Sequence, residues 1–310
     1  MKNLFKKSAI VLLALLVLTA CGKAKEKSPK EQLVDALTNV QEYTSFEASF
    51  KMDTSVEGGE VDPDDLFAGA AGINLSGELK ADLKAEKTAA TLKATILGMD
   101  VNVALFADKD QLALQVPFLT QLMGLGDIYI LSNLSDLVED EEAEADLDVK
   151  EYMAEMVRIL NETINETVDA KNIEITEDQT LTTPAGDEKG KKIKLSMQDA
   201  DMNKFLKTYQ EKVEASEILS DDISADDITD ATGTFEIELF LDSKGRLINV
   251  EIDTTTKTTL EGSNIETTTT SSIGFMLWNL NGNVKIEIPE FTPENSKTTE
   301  ELEAFNPFEE

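Results

Sequence analysis

An α+β fold, with about ten to twelve antiparallel strands curling around two or three helices, is predicted by three observations. Long stretches alternate apolar and polar residues with a period of two, the mark of a strand with one buried and one wet face. Two segments of the middle third carry apolar residues at helical spacing instead. Hydrophobic residues make up 41% of the 310, enough to build a core rather than a disordered chain.

Taken in order, Ser28-Pro29-Lys30-Glu31 reads as a helix start, with an N-cap serine, proline in the first turn and glutamate closing a capping box. Leu33, Val34, Leu37 and Val40 follow at helical spacing, so a helix is expected over about residues 29–41, and residues 43–54 look extended. In "ELKADLKAE", Leu79, Ala81, Leu83 and Ala85 alternate with charged residues. "TLKATIL" and "DVNVALFADKDQLALQV" continue the meander, the second as two strands around Asp108-Lys109-Asp110. Met153, Met156, Val157, Leu160 and Ile164 form one helical stripe, and Met202, Phe205, Leu206, Tyr209 and Val213 another behind an Asp199 or Asp201 cap. Between them "NIEITED" and "KKIKLSM" read as a hairpin across Thr183-Pro184-Ala185-Gly186. "TFEIELFLDSKGRLINVEIDTTTKTTL" is a second hairpin with its turn at Asp242-Ser243-Lys244-Gly245, and "SNIETTTTSSIGF" and "NVKIEIPEF" add two strands. The threonine runs fit strands because β-branched side chains suit a pleated surface. The segments around Asp108 and Asp242 echo one another, as a distant duplication or as two unrelated hairpins that need the same tight turn.

The front end has its own logic. In "LLVLTACGK" the only cysteine, Cys21, sits behind an apolar run of about thirteen residues, too short for the roughly twenty that cross a bilayer. Lys2, Lys6 and Lys7 supply the basic flank of an export signal. Leu18-Thr19-Ala20-Cys21 resembles the lipobox of bacterial lipoproteins. That resemblance implies a diacylglycerol thioether on Cys21, cleavage before it, and a protein held on the extracytoplasmic face of the cell membrane. The organisation is then a signal peptide at 1–20, a tether at 21–27, one α+β lipoprotein domain at 28–291 and an acidic flexible tail at 292–310. Lys23, Lys25 and Lys27 either draw the tether to anionic headgroups, at about 1 kcal/mol per charge near the surface, or simply solvate it.

Composition excludes much. The formal charge of −33 becomes −36 once Lys2, Lys6 and Lys7 are removed, so nucleic acid is not expected as a partner. One cysteine allows no internal disulfide. Histidine is absent, which removes Ser-His-Asp and Cys-His catalysis and His-ligated zinc. With 61 acidic residues no carboxylate pair stands out, and no phosphate loop, CxxC or HExxH pattern appears. We expect no enzyme, no cofactor and no metal. The acidic runs at 60–65, 139–148 and 220–233 lack the spacing of an EF-hand loop and read as solvated loops. Asp221, Asp222, Asp226, Asp227 and Asp230 are where calcium would be sought.

Three apolar segments are candidates for function. "DLFAGAAGINL" carries Phe67, "PFLTQLMGLGDIYIL" carries Phe118, Leu119, Leu122 and Met123, and "SIGFMLWNLNG" carries Phe275, Met276 and Trp278. They read either as ordinary core or as the lining and mouth of a hydrophobic cavity between a curved sheet and helices, where methionine gives adaptable packing. The order of lipid anchor, short helix, antiparallel meander, helices and further long strands, together with the "FLDSKGRLINVEI" hairpin, resembles the LolA-like and LppX-like bacterial lipoproteins. The resemblance implies a curved antiparallel half-barrel closed by helices around an apolar, lipid-holding cavity. The function expected is a membrane-tethered, non-catalytic protein that binds a lipid or other hydrophobic ligand. The alternative is a structural or chaperone-like envelope lipoprotein with a filled core.

Overall fold

The computed structural model describes residues 27–38, 43–58, 73–96, 99–133, 149–216, 218–219, 232–259 and 266–303. Cys21, Phe67 and the acidic runs at 60–65 and 139–148 lie outside the described residues, as does all but the end of the run at 220–233. The first elements are α1 (Pro29–Thr38), β1 (Ser45–Glu57), β2 (Ile73–Asp82), β3 (Lys87–Ile96), β4 (Met99–Ala107) and β5 (Gln111–Gln115). A short α2 (Pro117–Leu122), β6 (Tyr129–Asn133) and α3 (Val149–Thr167) follow. Next come β7 (Ile173–Thr183), β8 (Gly186–Gln198), α4 (Asp199–Glu214), β9 (Thr232–Asp242) and β10 (Leu247–Thr259). The last are β11 (Glu266–Trp278), β12 (Ser296–Thr298) and α5 (Thr299–Glu303).

The twelve strands form one sheet in the order β12-β6-β5-β4-β3-β2-β1-β11-β10-β9-β8-β7, which does not close on itself. The pairs from β2 to β6 and from β7 to β11 are antiparallel, while β12 joins β6 in parallel. The fold is α+β, at the upper end of the expected strand number. Two of the five helices among the described residues, α2 and α5, are six and five residues long and escape a reading based on periodicity.

The chain divides into two compact units. The first comprises residues 1–43, 54–71 and 147–276, so it holds α1, α3, α4 and the sheet from β7 to β10 with most of β11. Its helices cover an apolar sheet face. Register places Ile193 opposite Leu239 and Leu239 opposite Val250, and Ile193, Leu195 and Leu239 are fully buried. Phe205 of α4 stacks on Phe235 of β9 at 5.8 Å. Ile159 of α3 and Val213 of α4 meet Leu219 in one cluster. The opposite face is charged: Lys192 reaches Glu238 at 2.5 Å and Lys194 reaches Glu236 at 2.9 Å.

Local chemistry fixes the ends of these elements. The expected capping box at α1 is present, the Ser28 amide donating to Glu31 Oε2 at 2.7 Å and the Glu31 amide to Ser28 Oγ at 3.3 Å. The expected aspartate cap at α4 is not. Gln198 occupies the N-cap without a side-chain bond, and Asp199, at φ 39°, instead accepts the Gly233 amide at 3.0 Å. The β9–β10 turn falls at the expected residues, with Asp242 Oδ1 accepting the amides of Lys244 and Arg246 at 2.8 and 2.9 Å.

The second unit comprises residues 44–53, 72–146 and 277–310, and contains the meander β2–β6, most of β1, α2, β12 and α5. Here three sequence readings shift. The alternation in "ELKADLKAE" outlasts the strand: β2 ends at Asp82, whose Oδ1 accepts the Lys84 and Ala85 amides, each at 3.1 Å, and Leu83 sits 46% exposed in the turn. "NVKIEIPEF" forms no strand: residues 283–290 stay out of the sheet. The stretch from 292 onward, read as a tail, supplies β12 and α5, and Tyr129 docks it by donating its amide to Asn295 O at 2.8 Å.

Candidate functional site

The site candidates separate into three environments. Phe275 and Met276 belong to the first unit; Phe275 is buried and faces Val250 across the ladder, and Met276 is half-buried. Trp278, in the second unit, is half-buried and donates its indole N–H to Glu47 Oε2 at 3.1 Å. Glu47 also accepts from Asn279 at 3.3 Å and pairs with Lys80 at 3.3 Å. That polar partner marks Trp278 as an anchor of β11 against β1 within its unit.

Phe118, Leu119, Leu122 and Met123 lie together in and after α2. Pro117 starts this helix with φ already set, and Leu125 closes it by donating its amide to Thr120 O at 2.8 Å. Gly124 and Gly126 then take φ of 76° and 71°, which side-chain-bearing residues avoid. The polarity of α2 is inverted. Thr120 is fully buried, its hydroxyl turned back to the carbonyls of Val116 and Pro117 at 3.3 Å each. Phe118, Leu119 and Leu122 are 49%, 43% and 74% exposed.

Sequence reasoning named no residue of a second apolar feature in this unit as a site, although the alternation that creates it was visible. The register sets Leu79 opposite Ala90, Ala90 opposite Leu105, Leu105 opposite Leu114 and Leu114 opposite Ile130. Directly paired residues share a face, so an uncharged row crosses five strands. Leu92 and Val103 form a further row beside Gly77. On this face Leu79, Ala81 and Ala94 are buried, while Leu92, Val103, Leu105, Leu114 and Ile130 are half-buried. In the first unit the helix-covered face buries Ile193, Leu195, Leu239 and Val250, with Ile252 and Ile273 farther along its strands half-buried. α2 packs beside β4 of the same meander.

Hollows of about 350 to 540 Å³ all carry charged side chains in their lining, one of them with Val284 and Ile286 beside Asp82, Lys87, Lys285 and Glu287. Another is lined by Lys171, Glu174, Lys194, Ser196 and Asp201 in the first unit, and a third by Lys51, Asp53, Lys93, Asp100 and Asn102 in the second. None of these is an apolar cavity. Among the described residues there is no group of three or more acidic or cysteine side chains placed to hold a metal, and no helix is long and apolar enough to cross a membrane.

Titration directions follow hydrogen bonds and ion pairs with neighbouring side chains, Glu31 and Glu294 being lowered by Ser28 and Thr292. Hydrogen bonds from Arg158 hold the carboxyls of Glu155 and Glu162 below the usual carboxylate range, and Lys194 does the same for Glu236. Bonding to Glu166 raises the Lys212 ammonium.

No family model and no curated protein matches the chain. Among solved structures, a beta-barrel-like protein of a domain of unknown function from Brucella abortus is similar over 76% of this chain and 99% of that one. It is 8% identical with a TM-score of 0.20, which carries nothing about function.

Proposed function

We propose that this chain is a lipid-anchored extracytoplasmic lipoprotein, held through acylated Cys21, that binds a lipid or other hydrophobic ligand without catalysis. The observation that carries the binding reading is the half-covered apolar face of β2–β6. A row running from Leu79 through Leu105 and Leu114 to Ile130 has no charge and is incompletely shielded from water at Leu105, Leu114 and Ile130. An acyl chain laid on it removes apolar area from water on both partners, at about 25 cal/mol per Å². The anchor reading rests on the lipobox pattern and the basic, apolar and small residues in front of Cys21.

A non-catalytic role is supported by the absence of histidine and by carboxylates whose shifts are accounted for by hydrogen bonds from neighbouring Arg, Lys, Ser and Thr. Organic extraction of the full chain purified from membranes, followed by mass spectrometry, tests both parts. Lipid retained above the level of an unrelated lipoprotein, and a diacylated Cys21 peptide, are expected. An extract without lipid, together with no uptake of a fluorescent fatty acid added back, removes the carrier reading, and a free Cys21 thiol removes the anchor. The buried core of the first unit favours the rival, an interaction lipoprotein with a filled interior, in which case the extract is empty and the anchor remains.

A further inference from the structure

We infer that α2 is a membrane-contacting element, with Phe118, Leu119 and Leu122 dipping into the interface of a lipid bilayer. The inference builds on the anchored-lipoprotein reading, since an anchored chain always has a bilayer beside it. The inverted polarity of α2 is the starting point. A soluble helix normally buries its large apolar residues and exposes its threonine; α2 buries Thr120 and exposes the three bulkiest groups it has.

Charge selects the occupant. The chain carries −33 overall, yet residues 111–126 contain no Asp, Glu, Lys or Arg. Most of its surface is therefore repelled by anionic headgroups, while this stretch approaches a bilayer without penalty. Phe and Leu are the side chains that interfacial helices place at the acyl boundary. Size argues against a protein partner or a second copy. Three exposed side chains fall far short of the 20–30 residues a side of a stable protein interface. The turn that follows leaves room for approach, because nothing lies within 4 Å of where a Cβ would stand at Gly124 or Gly126.

The test uses tryptophan, of which the chain has one, Trp278. Full-length wild type, Leu122→Trp and Ser243→Trp are mixed with vesicles of phosphatidylcholine alone or with one quarter phosphatidylglycerol, floated, and quenched with brominated lipid. Ser243 is exposed in the β9–β10 turn of the first unit. The added emission of Leu122→Trp should be blue-shifted and quenched at least twofold, with Trp278 and the Ser243→Trp signal unchanged. Adding Phe118→Glu and Leu119→Glu should abolish the quenching at unchanged melting temperature. The inference is overturned if Leu122→Trp is not quenched in the vesicle-bound fraction. It is also overturned if all three sites are quenched alike, or if the blue shift arises with protein concentration in lipid-free buffer, the sign of self-association. Mass analysis of Cys21 in the same samples reports on the anchor separately, so failure of one does not pass for failure of the other.

Discussion

Two residues show how little slack the sheet has. A Cβ on Gly77 would lie 2.3 Å from Thr91 O and 2.4 Å from the Phe50 ring, so Gly77→Ala must push β2 from β3 or turn Phe50 out of its buried site. Overpacking of this kind costs about 1–3 kcal/mol, and urea unfolding should show it as a lower midpoint at unchanged slope. Asp242 is 4% exposed, and its carboxylate holds the turn amides and also the Arg246 side chain, at 2.6 Å. Asp242→Ala strands those donors, and a loss of about 2–3 kcal/mol is expected, with Asp242→Asn losing less because one amide-accepting oxygen survives. Thermal melts of the two variants check the order. The aspartate-led turn was legible in the sequence, because Asp-Ser-Lys-Gly between alternating strands names its own turn chemistry. The Gly77–Phe50 contact was not, since it joins residues far apart in the chain that no local pattern connects.

At the scale of elements, α3 and α4 of the first unit are tied by charge as well as by packing. Across the two helices Lys212 of α4 reaches Glu166 at 2.8 Å and Glu162 at 3.3 Å, and within α3 Arg158 binds Glu155 at 2.6 Å and Glu162 at 2.5 Å. Because the Glu155 and Glu162 carboxyls are lowered from 4.5 in the fold, their contribution is complete above that value. It is lost as pH falls through the lowered values, when protons bind the unfolded chain first. Melting temperature followed by circular dichroism from pH 7 to 3 should therefore fall below about pH 4.5, and more shallowly in the Glu155→Gln/Glu162→Gln double variant. Solvent screening keeps the difference below about 1 kcal/mol. The same scale separates legible elements from hidden ones. Long helices such as α3 and α4 announce themselves by periodicity, whereas α2 spans fewer than two turns, too little for a period to repeat. The extended stretch 283–290 has the composition of a strand but no partner, and pairing is decided by the rest of the sheet rather than by its own residues.

For the whole molecule, the α+β class followed from alternation together with the two helical stripes, but which strands fill the sheet edge and which apolar face stays half-covered did not. Alternation marks a face as apolar; whether a helix covers it depends on long-range packing. That is why Phe275 was read beside Leu122 as a candidate, while its position opposite Val250 places it in the helix-covered core. The central claim is that the open face of β2–β6 takes up acyl chains. About fourteen methylenes at about 0.8 kcal/mol each, set against the roughly 4 kcal/mol or more lost on association, leave affinities in the micromolar range or weaker. Titration of the full chain with a fluorescent palmitate analogue, compared with Leu105→Glu in the middle of the uncharged row, is the most direct measurement. Saturable micromolar binding that weakens at least tenfold in Leu105→Glu is the expected result. A wild-type chain that binds no probe, or a variant that binds it equally well, would contradict it.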